Sequence, residues 1–155
     1  MFSHDESQPN KETNDLIVEV FRLNGLLIST ADKLVSKFGL TGARWQVLGA
    51  IAMSKTPETT ARLARNMGLT RQSVHRVVNE MADEGMLCFR DNPHHQRARL
   101  VEITKKGRTA FDSAVKLQVP WVHALSEGIS KKRLHDAREV LEAIRARLEK
   151  QSADE

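Results

Sequence analysis

The sequence predicts a mostly α-helical chain with one small β-hairpin. Apolar residues recur at three- and four-residue steps along most of it, as they do in helices with one buried face. The period changes to two in two short runs, 86–90 and 99–103, which read as the paired strands of a hairpin. The 155 residues are 40% apolar and 28% charged, with 8 Gly and 4 Pro. That is about one domain's worth of chain, able to bury a core and unlike a disordered or collagen-like sequence.

Residues 1–12 are polar and mixed in charge, and are expected to form a flexible tail. From Asn14 the helical period begins. Leu16, Val20, Leu23, Leu27, Leu34 and Phe38 form one stripe, with Ile17, Phe21, Ile28, Ala31 and Val35 beside it. The wide apolar face belongs to a helix of about 25 residues, near 37 Å long, which Gly39 stops. Thr41 can cap a second helix with Trp45, Val47, Leu48 and Ile51 inside. Residues 54–60 read as a loop. A short helix over 61–67, anchored by Leu63, Ala64 and Met67, leads into the tight turn Gly68-Leu69-Thr70. A longer helix over 71–84 places Val74, Val77, Val78 and Met81 inside, and Gly85 ends it.

After this longer helix come the two strands. Between them lies the polar tip Asp91-Asn92-Pro93-His94-His95-Gln96-Arg97-Ala98. Thr104 can cap a helix that packs through Ala110, Phe111, Ala114, Val115 and Gln118, and Pro120 is expected to kink or break it near Val119. A last helix over 130–150 carries the heptad stripe Leu134, Ala137, Leu141, Ile144 and Leu148.

Several functional classes find no support. One cysteine excludes an internal disulfide framework and most cysteine-based metal sites. Flanked by Leu87 and Phe89, Cys88 reads as a buried structural thiol rather than a redox switch. The longest apolar run, 47–53, is too short to span a bilayer, and no secretory signal precedes it, so a soluble cytoplasmic protein is expected. There is no Gly-rich phosphate loop, nucleophile elbow or paired-carboxylate motif, so no enzyme and no cofactor are expected. Histidines 94, 95, 123 and 135 lack metal-ligand spacing, and no metal is expected.

The net charge of +4 is modest, but its distribution is not even. Residues 60–108 hold 10 Lys/Arg against 5 Asp/Glu, while the flanking thirds are close to neutral. Eight of the ten are Arg, whose planar fork suits phosphates and guanine edges. A basic segment on a neutral scaffold is either a solvated surface or a nucleic-acid footprint.

The order of helix, short helix, glycine turn, longer helix and hairpin is that of a winged helix-turn-helix. In such a module the short helix braces the second, which docks by one face and offers the other to the major groove. Here Arg71, Gln72, Ser73, His75, Arg76 and Asn79 are left outside; none is acidic, and the acids Glu80, Asp83 and Glu84 come only at the far end. Arg71 and Arg76 are candidates to grip guanine and Gln72 adenine. Thr70 and Ser73 are candidates to hold phosphate. Arg62 and Arg65 on the bracing helix either contact backbone or are idle surface charges.

The ordered set Gly39-Leu40-Thr41, Trp45-Gln46-Val47-Leu48, Arg62-Leu63-Ala64-Arg65-Asn66-Met67-Gly68-Leu69-Thr70-Arg71-Gln72-Ser73-Val74, Glu84-Gly85-Met86-Leu87 and Val101-Glu102-Ile103-Thr104-Lys105-Lys106-Gly107 resembles the MarR family of bacterial transcriptional regulators, over about residues 14–150. The resemblance implies a homodimer on double-stranded DNA, with residues 13–38 and 105–150 as dimerisation helices and 41–104 as the DNA-binding region. It implies one recognition helix per subunit in successive major grooves of a palindromic operator, with the wing tip in the minor groove. It also implies a repressor that excludes polymerase and is released by a small aromatic or anionic effector. By analogy Asn24, Arg44, Trp45 and Phe111 neighbour the effector site, although Trp45 also reads as core and Arg44 as the partner of a nearby acid. A non-specific architectural DNA-binding protein is the alternative.

The wing departs from the family in one respect. The usual pattern is Asp-x-Arg, the Asp orienting the Arg. Arg97 matches the Arg, but His95 stands at the Asp position. Either Asp91 substitutes from the other strand, or His94 and His95 contact phosphate themselves, which would strengthen wing binding at low pH.

Overall fold

The computed structural model describes residues 10–153. In chain order they form α1 (Lys11–Val35), α2 (Gly42–Met53), β1 (Glu58–Thr59), α3 (Thr60–Met67), α4 (Arg71–Asp83), β2 (Leu87–Arg90), β3 (Leu100–Ile103), α5 (Lys105–Ser126) and α6 (Lys131–Ala153). A 3₁₀ turn, Ser36–Phe38, follows α1. The chain divides into two compact units, one ending at Leu117 and the other beginning at Gln118. No described helix is long and apolar enough to cross a membrane.

The first unit is built around one apolar centre. Val35 from α1, Leu48 from α2, Leu63 from α3, Val78 and Met81 from α4 and Val101 from β3 are all fully buried there. Helix starts are set by threonines. Thr41, Thr59 and Thr70 each accept a hydrogen bond from the backbone N–H three residues on, at the heads of α2, α3 and α4. The N–H of Gly42 also donates to Asp32 Oδ1 at 2.5 Å, joining α2 to α1. Gly68, at φ 65°, closes α3 with N–H bonds to Ala64 O and Arg65 O and turns the chain into α4.

The sheet has the strand order β1-β3-β2, antiparallel throughout. Its third strand lies where a loop was expected: Glu58 pairs with Val101, and Thr59 with Leu100. Two residues are too few to show a period in sequence. They pair because the outer edge of β3 would otherwise leave backbone groups without partners.

The strand alternation also overturns the expectation for Cys88. Leu87 pairs with Ile103 and Phe89 with Val101, on the face turned to the core. Cys88 pairs with Glu102 and is exposed. Successive side chains in a strand point to opposite faces, so buried Leu87 and half-buried Phe89 on one face place the residue between them on the other.

Helix α1 begins at Lys11, inside the stretch expected as a tail; the rest of that expectation, for 1–9, lies outside the described residues. Of the kink or break expected at Pro120, the break does not occur: α5 runs on through it to Ser126. Proline lacks the N–H that would reach Lys116 O, and its ring crowds that carbonyl. Both residues are exposed, so water can take that bond's place. In the second unit, α6 keeps the expected heptad stripe, and Leu134, Leu141 and Leu148 on it are 42–57% exposed.

One close approach joins the end of α4 to the start of α5. Thr104 Oγ1 donates to Gly85 O at 2.6 Å and accepts from Gly107 N at 3.2 Å. A Cβ added at Gly107 would lie 2.1 Å from Met86 O, a backbone atom that cannot step aside. At Gly49 the nearest atom to such a Cβ is Phe111 Cε2 at 3.9 Å, an ordinary contact. Gly107→Ala is therefore expected to cost about 1–3 kcal/mol or more. Gly49→Ala is expected to be neutral or to stabilise by up to about 1 kcal/mol. Urea midpoints at equal protein concentration check both, and equal midpoints would contradict the packing described.

Candidate nucleic-acid interface

Helix α4 separates its two kinds of residue cleanly. Val74, Val78 and Met81 are buried at 1% exposure or less, and they fix which face remains. Thr70, Gln72, Ser73, His75, Arg76, Asn79, Glu80 and Asp83 line a shallow groove along the outer side. Over its first two turns that face offers donors and acceptors without an acid, so it is neutral to basic where the helix starts. The free N–H groups of the first turn add a partial positive charge there.

A second groove, of about 230 Å³, runs between α4, the β1–α3 junction and the hairpin. Arg71, His75 and Asn79 enter it from α4, Thr59 and Thr60 from the junction, and Phe89, Arg97 and Arg99 from the hairpin. The structure thus brings Arg71 and His75 together with Arg97, which lies more than twenty residues further along the chain. Arg99 is ordered by stacking, its guanidinium 4.3 Å from the centre of the Phe89 ring. Three guanidinium groups around one groove make it a seat for anions.

The remaining candidates are more scattered. Thr70 Oγ1 accepts from Ser73 N and donates to Ser73 Oγ, and Ser73 Oγ donates to Thr70 O. Both hydroxyl protons are thereby used in shaping the helix start. Arg62 is exposed and pairs with Glu58 at 3.1 Å. Arg65 is exposed, as are His94 and His95 at the hairpin tip. None of these four lines either groove.

In the wing the carboxylate partner falls to a different arginine. Arg90 Nη1 donates to Glu102 Oε1 at 2.5 Å, and that bond raises the Arg90 pKa above its ordinary value. Among the described residues Arg97 has no ion-pair partner, so Asp91 does not take the missing orienting role. The tip is organised instead by Asn92. Its Nδ2 donates to Ala98 O at 2.9 Å, its Oδ1 accepts from His94 N at 3.0 Å, and its carbonyl accepts from His95 N. Asn92 was not singled out from the sequence, although an Asn before a Pro in a hairpin tip is a turn signature.

The four effector candidates lie in different settings. Asn24 is exposed on α1, Trp45 is buried, and Phe111 is half-buried on α5 against Gly49 of α2. Arg44 forms a two-pronged ion pair with Glu84, at 2.8 and 2.7 Å. Hydrogen bonding to Arg44 lowers the Glu84 pKa, and the same bond raises that of Arg44. A carboxylate with a lowered folded pKa stabilises above its unfolded value, and that contribution is lost as pH falls through the folded one. No group of three or more His, Cys, Asp or Glu among the described residues is placed to hold a metal ion.

Because Asn92 bonds across the tip, Asn92→Ala should loosen residues 92–98 and leave the core intact. Amide exchange at His94, His95 and Ala98 is expected to speed up severalfold, since each lost bond contributes about 1 kcal/mol. Unchanged exchange at those amides would count against this account of the tip.

Residues 38–98 match a sequence model of the MarR family. An uncharacterised protein of Mycobacterium tuberculosis is 31% identical over 126 residues, which cover 81% of this chain and 87% of that protein. Among solved structures, Mycobacterium tuberculosis MosR in complex with DNA superposes with a TM-score of 0.70 at 23% identity, over 84% of this chain and 96% of that one. CouR from Rhodococcus jostii RHA1 bound to p-coumaroyl-CoA gives a TM-score of 0.74 at 21% identity, over 88% of this chain and 95% of that one. These two likenesses show a shared fold. With its helix-turn-helix, its wing and the matched family model, the chain belongs to the MarR family of DNA-binding transcriptional regulators.

Proposed function

We propose that this regulator binds a palindromic operator as a homodimer, reads it with α4, and is released by a small aromatic or anionic effector. The observation that carries the reading is the convergence of Arg71 and His75 from α4 with Arg97 from the wing on one groove, beside an outer face free of acids up to Glu80. A DNA strand passing between helix and wing would set its phosphates against those guanidinium groups, while Gln72 and Arg76 meet base edges. Arg62, Arg65, His94 and His95 would add contacts to the flanking backbone, and Thr70 and Ser73 shape the helix start.

Apolar side chains left open on α1 support the dimer. Val20, Phe21, Leu23, Leu26, Leu27 and Ile28 are 39–67% exposed in a single chain, a larger apolar strip than a monomer usually leaves in water. A two-fold dimer would present two recognition helices to half-sites about one DNA turn apart. A dimer seated on a promoter excludes polymerase by bulk, which favours repression. CouR, captured with an aromatic thioester, supports an effector of that chemistry. Such a molecule would act by shifting the population between two dimer geometries, only one of which fits the operator.

Selection of bound duplexes from a random pool is expected to return a palindrome. Arg76→Ala should weaken binding to it by roughly 5- to 150-fold and relax the preference at one position in each half-site. An unenriched pool would instead indicate non-specific binding. Replacing Phe21 and Leu26 by Glu together is expected to yield a monomer by sedimentation that binds the palindrome poorly. A double variant that remains dimeric would place the dimer contact elsewhere.

A further inference from the structure

The C-terminal end of α4 is capped by an acid, where helix electrostatics oppose one. Glu84 follows directly on α4, at the end that carries partial negative charge. Arg44 keeps it there, with Nη1 donating to Glu84 Oε2 at 2.8 Å and Nη2 to Oε1 at 2.7 Å. Arg44 Nη1 also donates to Gly39 O at 3.2 Å, and Nη2 lies 3.8 Å from Glu80 Oε2. Only 17% of the Arg44 side chain is exposed. From the other side, Lys106 Nζ donates to the backbone oxygen of Glu84 at 2.7 Å. The end of α4 is thus tied to α2 by a planar two-pronged pair and to α5 by a lysine.

We infer that Arg44 is a positioning residue for DNA recognition: through Glu84 it sets the tilt of α4 against the head of α2. This rests on the reading of α4 proposed above. The helix has 13 residues and so is about 20 Å long. A tilt of about 5° at its pinned end carries the opposite end, with Arg71 and Gln72, by nearly 2 Å. Bidentate contacts to a base edge do not survive such a shift. The fork geometry resists tilting in a way that a lysine in the same place would not.

A positioning role for Glu84 has an effect opposite in sign to that of its charge. Glu84 is an acid on a DNA-binding lobe, so removing its charge should by itself favour any duplex. As a positioning partner it does the reverse for the operator alone. Wild type, Glu84→Gln, Arg44→Glu and the exchange Arg44→Glu/Glu84→Arg are compared for binding to the selected operator and to a random duplex, each first checked for folding by urea midpoint. The expected result is that Glu84→Gln loses about tenfold in operator affinity with random-duplex affinity unchanged or higher. The exchange should recover most of what Arg44→Glu loses. The inference fails if Glu84→Gln strengthens both duplexes alike, or if the exchange shows no recovery. Wild type lacking any operator preference would instead overturn the DNA-reading proposal, and this inference with it. The conservative Glu84→Gln alters a half-exposed side chain, and the exchange keeps the net charge, so a folding defect in Arg44→Glu alone does not decide the outcome.

Discussion

What α4 offers to a partner depends on how three of its side chains are seated. Val74, Val78 and Met81 fill the centre of the first unit, and their burial dictates which residues of α4 look outward. Were the helix to turn by one residue, about 100°, Arg76 and Gln72 would leave the outer face and a valine would enter it. Fully burying each of the three is worth roughly 1.5–3 kcal/mol, enough together to hold one rotation against its neighbours. Functional geometry is thus a by-product of core packing, and the polar residues are free to be chosen for what they touch.

The charge is distributed to match. The first two turns of α4 and the hairpin supply the arginines, while Glu80 and Glu84 at the far end face Arg44. One helix therefore has a basic end and an internally compensated end. It opposes the helix dipole at both ends; Arg44 and Lys106 offset this at the far end, and the proposed DNA phosphates would do so at the other.

Much of this was legible in the sequence because it is local. Helix periods, threonine caps, the glycine turn after α3 and the alternation of the hairpin each act within a few residues. So did the outward set on α4, because burying Val74 and Val78 leaves its identity no freedom. What was not legible depends on pairs distant in sequence or on very short segments. Arg44 and Glu84 are forty residues apart, and no pattern around either names the other. β1 is two residues long and exists only because β3 offers an edge. The misreading of Cys88 came from treating apolar neighbours as a sign of burial, when in a strand they imply the opposite. Pro120 does not end α5, since one lost hydrogen bond at an exposed position leaves a helix of 22 residues continuous.

The two-residue strand has a thermodynamic side. With β1 on one flank and β2 on the other, β3 is the middle of the sheet rather than the free arm of a hairpin. Bending the hairpin away would strip its pairs with β1, so its stem is anchored to the first unit before any partner arrives. Freezing a residue's backbone costs about 1–2 kcal/mol in entropy. For the stem that cost is met during folding, and only the tip beyond Arg90 has freedom left to lose on binding.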